Sequence, residues 1–463
     1  MQANVILHLG LGSFHRAHQA VYLDALMARG DTSWAIIGAN LRNDLAETMA
    51  ALIAQRGEYT LETVTPAGVR AYRRIRAIRE VLPFDASLAA IIDMGAQPAT
   101  RIIAFTVTEA GYYLDPQSRL DLGFADISGD VAGRSSVTIY AAISAILAQR
   151  MARNAGPVTL LNCDNLRSNG ERFRAGLLDF LARRNAVALT EWVSVNTCCP
   201  NAMVDRITPR PPPDLAARVL AATGWADRAP VMAEDFIQWV IEDRFANGRP
   251  AWETVGAEMV ESVHAHEEAK IRILNATHSG FAWAGSLIGL NFIHEDVAVA
   301  WIRRLCFDYV TDDVIPCLDT AAQPSPMDLA SYRDVVIERF GNPHLQDTNQ
   351  RVAMDGFSKI PGFIAPTIRE RIAVRASFAS TARLPALFFE FLRRWQGGGI
   401  GFEYHDQSME PATVRAWFAA PDPIAAFCRD GVLWGALAGS ETLTTAVRTA
   451  HAEVLALLSG TAS

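Results

Sequence analysis

The chain has 463 residues, half of them hydrophobic and a fifth charged, with a net charge of −8. That length accommodates two or three domains with well-buried cores, and the acidic balance argues against a nucleic-acid binder. The longest apolar stretch, Gly280 to Ile293, is too short to span a bilayer, and the six cysteines lack C-x-x-C spacing and disulfide-scaffold density, so a cytoplasmic protein with reduced thiols and no membrane partner is expected.

Val5 to Leu9 predicts a strand that begins too early for a targeting segment and leads into Gly10-Leu11-Gly12. A helical pattern follows from Arg16 to Ala28. Trp34 to Ala39, Arg101 to Thr108 and Pro157 to Asn162 predict further strands, with helical segments between them. The arginine-dense run Arg70 to Glu80 reads as one solvated face of an element. Strands alternating with helices imply a parallel sheet covered on both faces. Ile207 to Pro213 (ITPRPPP) suits neither a helix nor a central strand and marks a connection. Val231 to Ile241 and Gly256 to Val263 keep strand character, and from Glu267 onward the texture is helical. The expected fold is α/β: a Rossmann-type dinucleotide-binding domain over 1–222, then a mostly α-helical substrate domain over 223–463.

Two glycines at i and i+2, after a strand and before a helix, allow backbone amides to approach a pyrophosphate. The third glycine of the usual fingerprint is absent, and His15 stands there. An ordinary βα turn is the alternative. The second strand ends at Asn40, which can hydrogen-bond a ribose. Asp44 favours NAD and Arg42 tolerates a 2′-phosphate; NAD is expected ahead of NADP.

Of 42 basic residues only Lys270 and Lys359 are lysine. A guanidinium stays charged in any protein site, whereas a buried amine can release its proton. Glu267, Lys270, Asn275 and His278 fall in one helical segment. On an α-helix, with Lys270 at zero, they lie near ~60° (Glu267), ~80° (His278) and ~140° (Asn275). This set suits alcohol oxidation: the amine takes the hydroxyl proton, the carboxamide steadies the oxygen, the imidazole binds a neighbouring hydroxyl, and the carboxylate passes the proton outward. A surface Glu267–Lys270 pair is the alternative. No Y-x-x-x-K, H-E-x-x-H or G-x-S-x-G occurs, and His264-x-His266 points its rings apart, so no metal is expected.

The segments GLGSFHRAHQA, TVTEAGYY, NCDNLRSNGERF, MVDRITP, FIQWVIED, KIRILNATHS and ERFGNPHLQDTNQRVAMDGFSKIP occur in the order seen in the mannitol dehydrogenase family of metal-independent polyol dehydrogenases. The chain resembles that family over nearly its whole length. The resemblance implies Lys270 as general base, Asn275 and Asn165 as the amide pair on the reacting oxygen, and Glu267 in the proton path. It implies His278, Asp205, Arg351 and Lys359 as substrate ligands. Gly10, Gly12 and Phe14 resemble the cofactor loop, and the cofactor set extends to Asn40, Thr108 and Glu109. The implied reaction is NAD-dependent oxidation of D-arabinitol to D-xylulose, with D-mannitol to D-fructose as the nearest rival, in a cleft between the domains of a monomer. Reduction of a sugar acid such as fructuronate or tagaturonate, and a silent cofactor-binding sensor, are the alternatives.

Overall fold

The computed structural model describes residues 3–115 and 119–461, apart from the side chains of Glu109 and Thr461. The chain divides into two compact units. One runs to Thr65 and from Val69 to His264; the other comprises Pro66–Gly68 and the chain from Ala265 onward. Among the described residues no helix is long and apolar enough to cross a membrane.

The strands of the first unit are β1 (Asn4–Leu9), β2 (Trp34–Ala39), β3 (Tyr59–Val64), β4 (Arg70–Ile75), β5 (Ile78–Val81), β6 (Thr100–Phe105), β7 (Val158–Asn162), β8 (Thr197–Cys198), β9 (Ala202–Asp205), β10 (Val231–Glu234), β11 (Gln238–Glu242) and β12 (Glu258–Val260). Six of them form a parallel sheet in the order β5-β2-β1-β6-β7-β8. Alternate side chains of β1 serve two cores: Val5, Leu7 and Leu9 join one layer with Ile103, Phe105 and Leu160, while Ile6 joins the other with Ile36, Ile102 and Leu161. This is a sheet buried on both faces, as the strand–helix alternation predicts. The order reverses direction at β1, where the crossovers on either side leave a crevice at the strand ends.

Several expectations need correction. The predicted helix from Arg16 to Ala28 is two helices, Ser13–Ala17 and Gln19–Ala28, broken at His18. The third predicted strand stops at Phe105, three residues short of Thr108. The arginine run is β4 and β5 rather than one solvated face, with Arg70 and Arg73 paired to Glu62 and Asp24 at 2.6 Å each. The largest difference is the boundary. ITPRPPP reads locally as a linker, yet β10 beyond it pairs in parallel with β3, and β11 pairs antiparallel with β9. These ladders keep the chain in the first unit until His264, well past residue 222.

Buried arginines brace the first unit through backbone carbonyls. Arg150 donates to the carbonyls of Gly95, Gln97, Ala155, Gly156 and Pro157 at 2.8–3.1 Å, using the whole fork of a guanidinium. Burial pushes its pKa down to about 10.

The regular elements among the described residues of the second unit are helices, with Ala379–Gln396 packed between Ala276–Leu287 and Glu441–Thr461. Three π-helical turns interrupt its helices: Lys270–Asn275, Tyr309–Val314 and Ile360–Ile364. The first packs against both of the others.

Gly170, in the first turn of the helix Asn169–Arg183, lies so close to the later β8–β9 connection that a Cβ would stand 2.6 Å from the Cys199 carbonyl oxygen, with the Pro200 carbonyl also in overlap. Backbone cannot move aside as a side chain can. Gly170→Ala is expected to cost about 1–3 kcal/mol of stability, read as a lowered midpoint in urea with unchanged slope.

Candidate active site

The crevice at the ends of β1, β2 and β6 is a cleft of about 450 Å³ lined by Gly10, Gly12, Phe14, His15, Asn40, Thr106 and Thr108 among others. Gly10 has φ +109°, and a Cβ there would press on the Thr106 carbonyl at 3.1 Å; nothing lies within 4 Å of a Cβ on Gly12. The first glycine therefore serves the tight turn, and the second leaves the backbone bare toward the cleft. Asn40 Oδ1 accepts the Leu11 N–H at 2.7 Å, holding the loop to the end of β2. Its Nδ2 is buried and has no partner among the described residues. An unmet amide donor beside bare glycine backbone fits a dinucleotide's ribose and pyrophosphate oxygens. Beneath the loop His8 and His15 stack with centroids 3.4 Å apart, and burial drives His8 down to about 3 and His15 well below its ordinary range. Both rings are thus neutral at physiological pH. Of the six expected cofactor residues five line the cleft. The sixth, Glu109, opens the 3-10 turn Glu109–Tyr112, and its side chain lies outside the described residues.

Four of the five expected catalytic residues, Glu267, Lys270, Asn275 and His278, stand on one continuous helix, built from His264–Ala269, the π turn Lys270–Asn275 and Ala276–Leu287. Glu267 and Lys270 are buried, at 5% and 7% exposure, so the alternative of a surface pair fails; Asn275 and His278 are half-buried. The uniform α-helical wheel also fails. The Ala276 N–H reaches back five residues to the Ile271 carbonyl. A wider turn takes about one more residue, so Asn275, five positions after Lys270, comes nearer to the lysine's face than 100° steps imply. The freed carbonyl of Arg272 accepts the Tyr309 hydroxyl at 2.9 Å. Arg272 itself is clamped between Glu268 at 2.7 Å and Glu370 at 2.6 Å.

His278 stacks on Phe340 with centroids 4.3 Å apart, and its Nε2 lies 3.1 Å from Asp347 Oδ2. That is a close polar approach without an aligned hydrogen bond, for no described group completes one with Nε2. Burial holds the imidazole below its ordinary pKa, against the pull of Asp347. Asp347 also takes Arg351 in a two-point contact at 2.8 and 2.6 Å. Contact with His278 and with the Arg351 guanidinium holds its carboxyl far below the usual range despite burial. Lys359 donates from Nζ to the Val352 carbonyl at 2.6 Å. The Lys359 helix is fixed by Asp406, which accepts the Phe357 N–H at 2.8 Å. The structure therefore joins His278, Arg351 and Lys359 around the helix Asn349–Ala353.

Asn165 and Asp205 belong to the first unit. Asn165 is exposed in the loop after β7, and Asp205 is buried at the end of β9, opposite Gln238 of β11. Tyr112 braces that loop by donating to Asp164 and accepting from Asn162, both at 2.5 Å.

The family profile of the mannitol dehydrogenase Rossmann domain matches residues 4–254, and that of the mannitol dehydrogenase C-terminal domain matches 262–455. The chain belongs to the mannitol dehydrogenase family. Among curated relatives, a D-arabinitol 4-dehydrogenase of Ralstonia nicotianae is 59% identical over 98% of this chain and 97% of that protein. One of Klebsiella pneumoniae is 52% identical over 98% of each. Among solved structures, Pseudomonas fluorescens mannitol 2-dehydrogenase in ternary complex with NAD and D-mannitol is 32% identical, with a TM-score of 0.84, covering 99% of this chain and 94% of that one.

In this family member, sequence reasoning missed Asp347 and Asp296. Asp347 was legible only as a carboxylate four residues before Arg351. Asp296 is fully buried against the helix Ala276–Leu287, where a Cβ on Gly285 would overlap its carboxyl group. Its Oδ1 accepts Asn349 Nδ2 at 3.0 Å, and Asn349 also donates to the Leu290 carbonyl, so the Arg351 helix is tied to the chain just beyond Leu287. Burial pushes the Asp296 pKa up to about 8, with Glu295 adding to it. Between the unfolded pKa near ~3.9 and about 8, the folded chain holds a proton that the unfolded chain has lost, so this group's contribution to stability falls as pH rises across that window. Asp296→Asn is expected to melt at or above the wild-type temperature at pH 8–9, with the difference shrinking toward pH 4; a difference independent of pH contradicts the assignment.

Proposed function

We propose that the chain is a metal-independent, NAD-dependent polyol dehydrogenase that oxidises D-arabinitol to D-xylulose. The observation that carries this is the buried helix bearing Lys270, Asn275 and His278 on a π-interrupted face, in a chain 59% and 52% identical to two D-arabinitol 4-dehydrogenases. When bound, the nicotinamide supplies the hydride acceptor. Lys270 takes the hydroxyl proton as hydride leaves the carbinol carbon, and returns it to the oxygen in ketose reduction. Glu267, buried three residues earlier, relays that proton outward. Asn275 and Asn165 donate N–H groups to the oxygen as it changes from hydroxyl to carbonyl. His278, with Nε2 lacking an aligned partner, donates or accepts at an adjacent hydroxyl. Asp205, Arg351 and Lys359 bind the remaining hydroxyls. Gly10, Gly12, Phe14, Asn40, Thr108 and Glu109 hold the dinucleotide.

The two-point pairing of Arg351 with Asp347 speaks against a sugar-acid substrate, because that guanidinium already has its carboxylate. The buried Lys270 and intact His278 surroundings speak against a silent sensor.

Initial rates of NAD reduction across D-arabinitol, D-mannitol, D-sorbitol, L-arabinitol, xylitol and ribitol test the reading. D-arabinitol is expected to lead, with or without EDTA; silence on all six, with NADH-dependent turnover of keto-uronates, establishes the sugar-acid alternative. Lys270→Ala is expected to lower the oxidation rate by about a hundredfold or more while NADH affinity, read by fluorescence titration, stays close to wild type. Near-normal turnover in that variant removes Lys270 as the base.

A further inference from the structure

The mouth of the dinucleotide cleft is crossed by a contact that the expected cofactor set does not include. Arg42, two residues beyond Asn40, donates from Nη2 to Asp126 Oδ2 at 2.7 Å and to the Tyr113 hydroxyl at 3.0 Å. The Tyr113 hydroxyl donates in turn to the same carboxylate oxygen at 3.1 Å. Tyr113 follows the 3-10 turn after β6 with a left-handed φ of 49°, and its ring meets Phe124 edge-on at 5.7 Å. Arg42, Tyr113 and Phe124 all line the cleft, so the contact joins its β2 side to its β6 side.

In a βαβ nucleotide fold the residues just past the second strand face the adenosine ribose and its 2′ substituent. An arginine there reads from sequence as a partner for a 2′-phosphate. Here its charge is already met by a carboxylate from a distant segment, the helix Ala125–Val131. We propose that Asp126 is a determinant of NAD over NADP selection, drawing Arg42 across the cleft mouth and placing negative charge where a 2′-phosphate would need a free cation. This rests on the dinucleotide reading of the cleft. Asp44 adds a further negative charge along the same wall.

The test is the binding of NADH and NADPH, each measured by calorimetry on the full chain. Asp126→Asn keeps size and removes charge. It is expected to shift the ratio of the two dissociation constants toward NADPH by about tenfold or more, the scale of one hydrogen bond to a charged group. Arg42→Ala added to that variant is expected to abolish the shift. The pair is largely exposed, so the melting temperature should hardly move, which separates selection from a structural role. An unchanged ratio in Asp126→Asn, or a shift that survives without Arg42, overturns the proposal. Wild-type protein that binds neither dinucleotide overturns the dinucleotide reading and this inference with it.

Discussion

One backbone hydrogen bond, from the Ala276 N–H to the Ile271 carbonyl, sets the geometry on which the candidate chemistry depends. A five-residue step widens the helix at the point where Lys270 and Asn275 stand five apart, so residues that an α-helix would splay are drawn toward one face. Such a turn persists only where its surroundings over-determine it. Tyr309, itself the first residue of a π turn, takes the Arg272 carbonyl, while Glu268 and Glu370 hold the Arg272 side chain. The neighbouring π turn Ile360–Ile364 begins directly after Lys359. The two lysines of an arginine-rich chain thus sit at the entrance of two irregular turns that pack together.

Arginine and lysine divide the labour in this protein. Arg150 and Arg206 are buried without leaving the charged range, and they spend their donors on backbone carbonyls; Arg206 reaches those of Ala17 and Glu234. A guanidinium tolerates this because its fork can be satisfied by several carbonyls at once. An amine offers fewer fixed directions but can give up its proton, which is the property that the proposed chemistry asks of Lys270.

Much of what is local was legible in the sequence. The G-x-G turn, the place of Asn40 beside it at the end of the second strand, the strand–helix alternation and the K-x-x-x-x-N-x-x-H spacing each lie within a few residues and depend on short-range sterics or periodicity. The π turn was not legible, because a five-residue step uses the same apolar residues (Ile271, Ile273, Leu274) that an α-helix would bury. Asp347 was not legible either, since its partner His278 lies far back in the chain and only packing brings them together. Nor was the tie from Asp126 to Arg42, for the same reason. The domain boundary was misplaced because a proline-rich stretch punctuates the chain without ending the unit.

That stretch carries a consequence for synthesis on the ribosome. β3 is made early, but its outer neighbour β10 emerges only after the whole large sheet and the Ile207–Pro213 crossing have been translated. Until then β3 offers an unpaired parallel edge, and a fragment ending at residue 222 would keep it permanently. The first unit therefore cannot close vectorially as its strands appear. Its small sheet is a late, long-range event of the slow kind, and the nascent chain must carry an open strand edge for most of the time it takes to build the nucleotide fold.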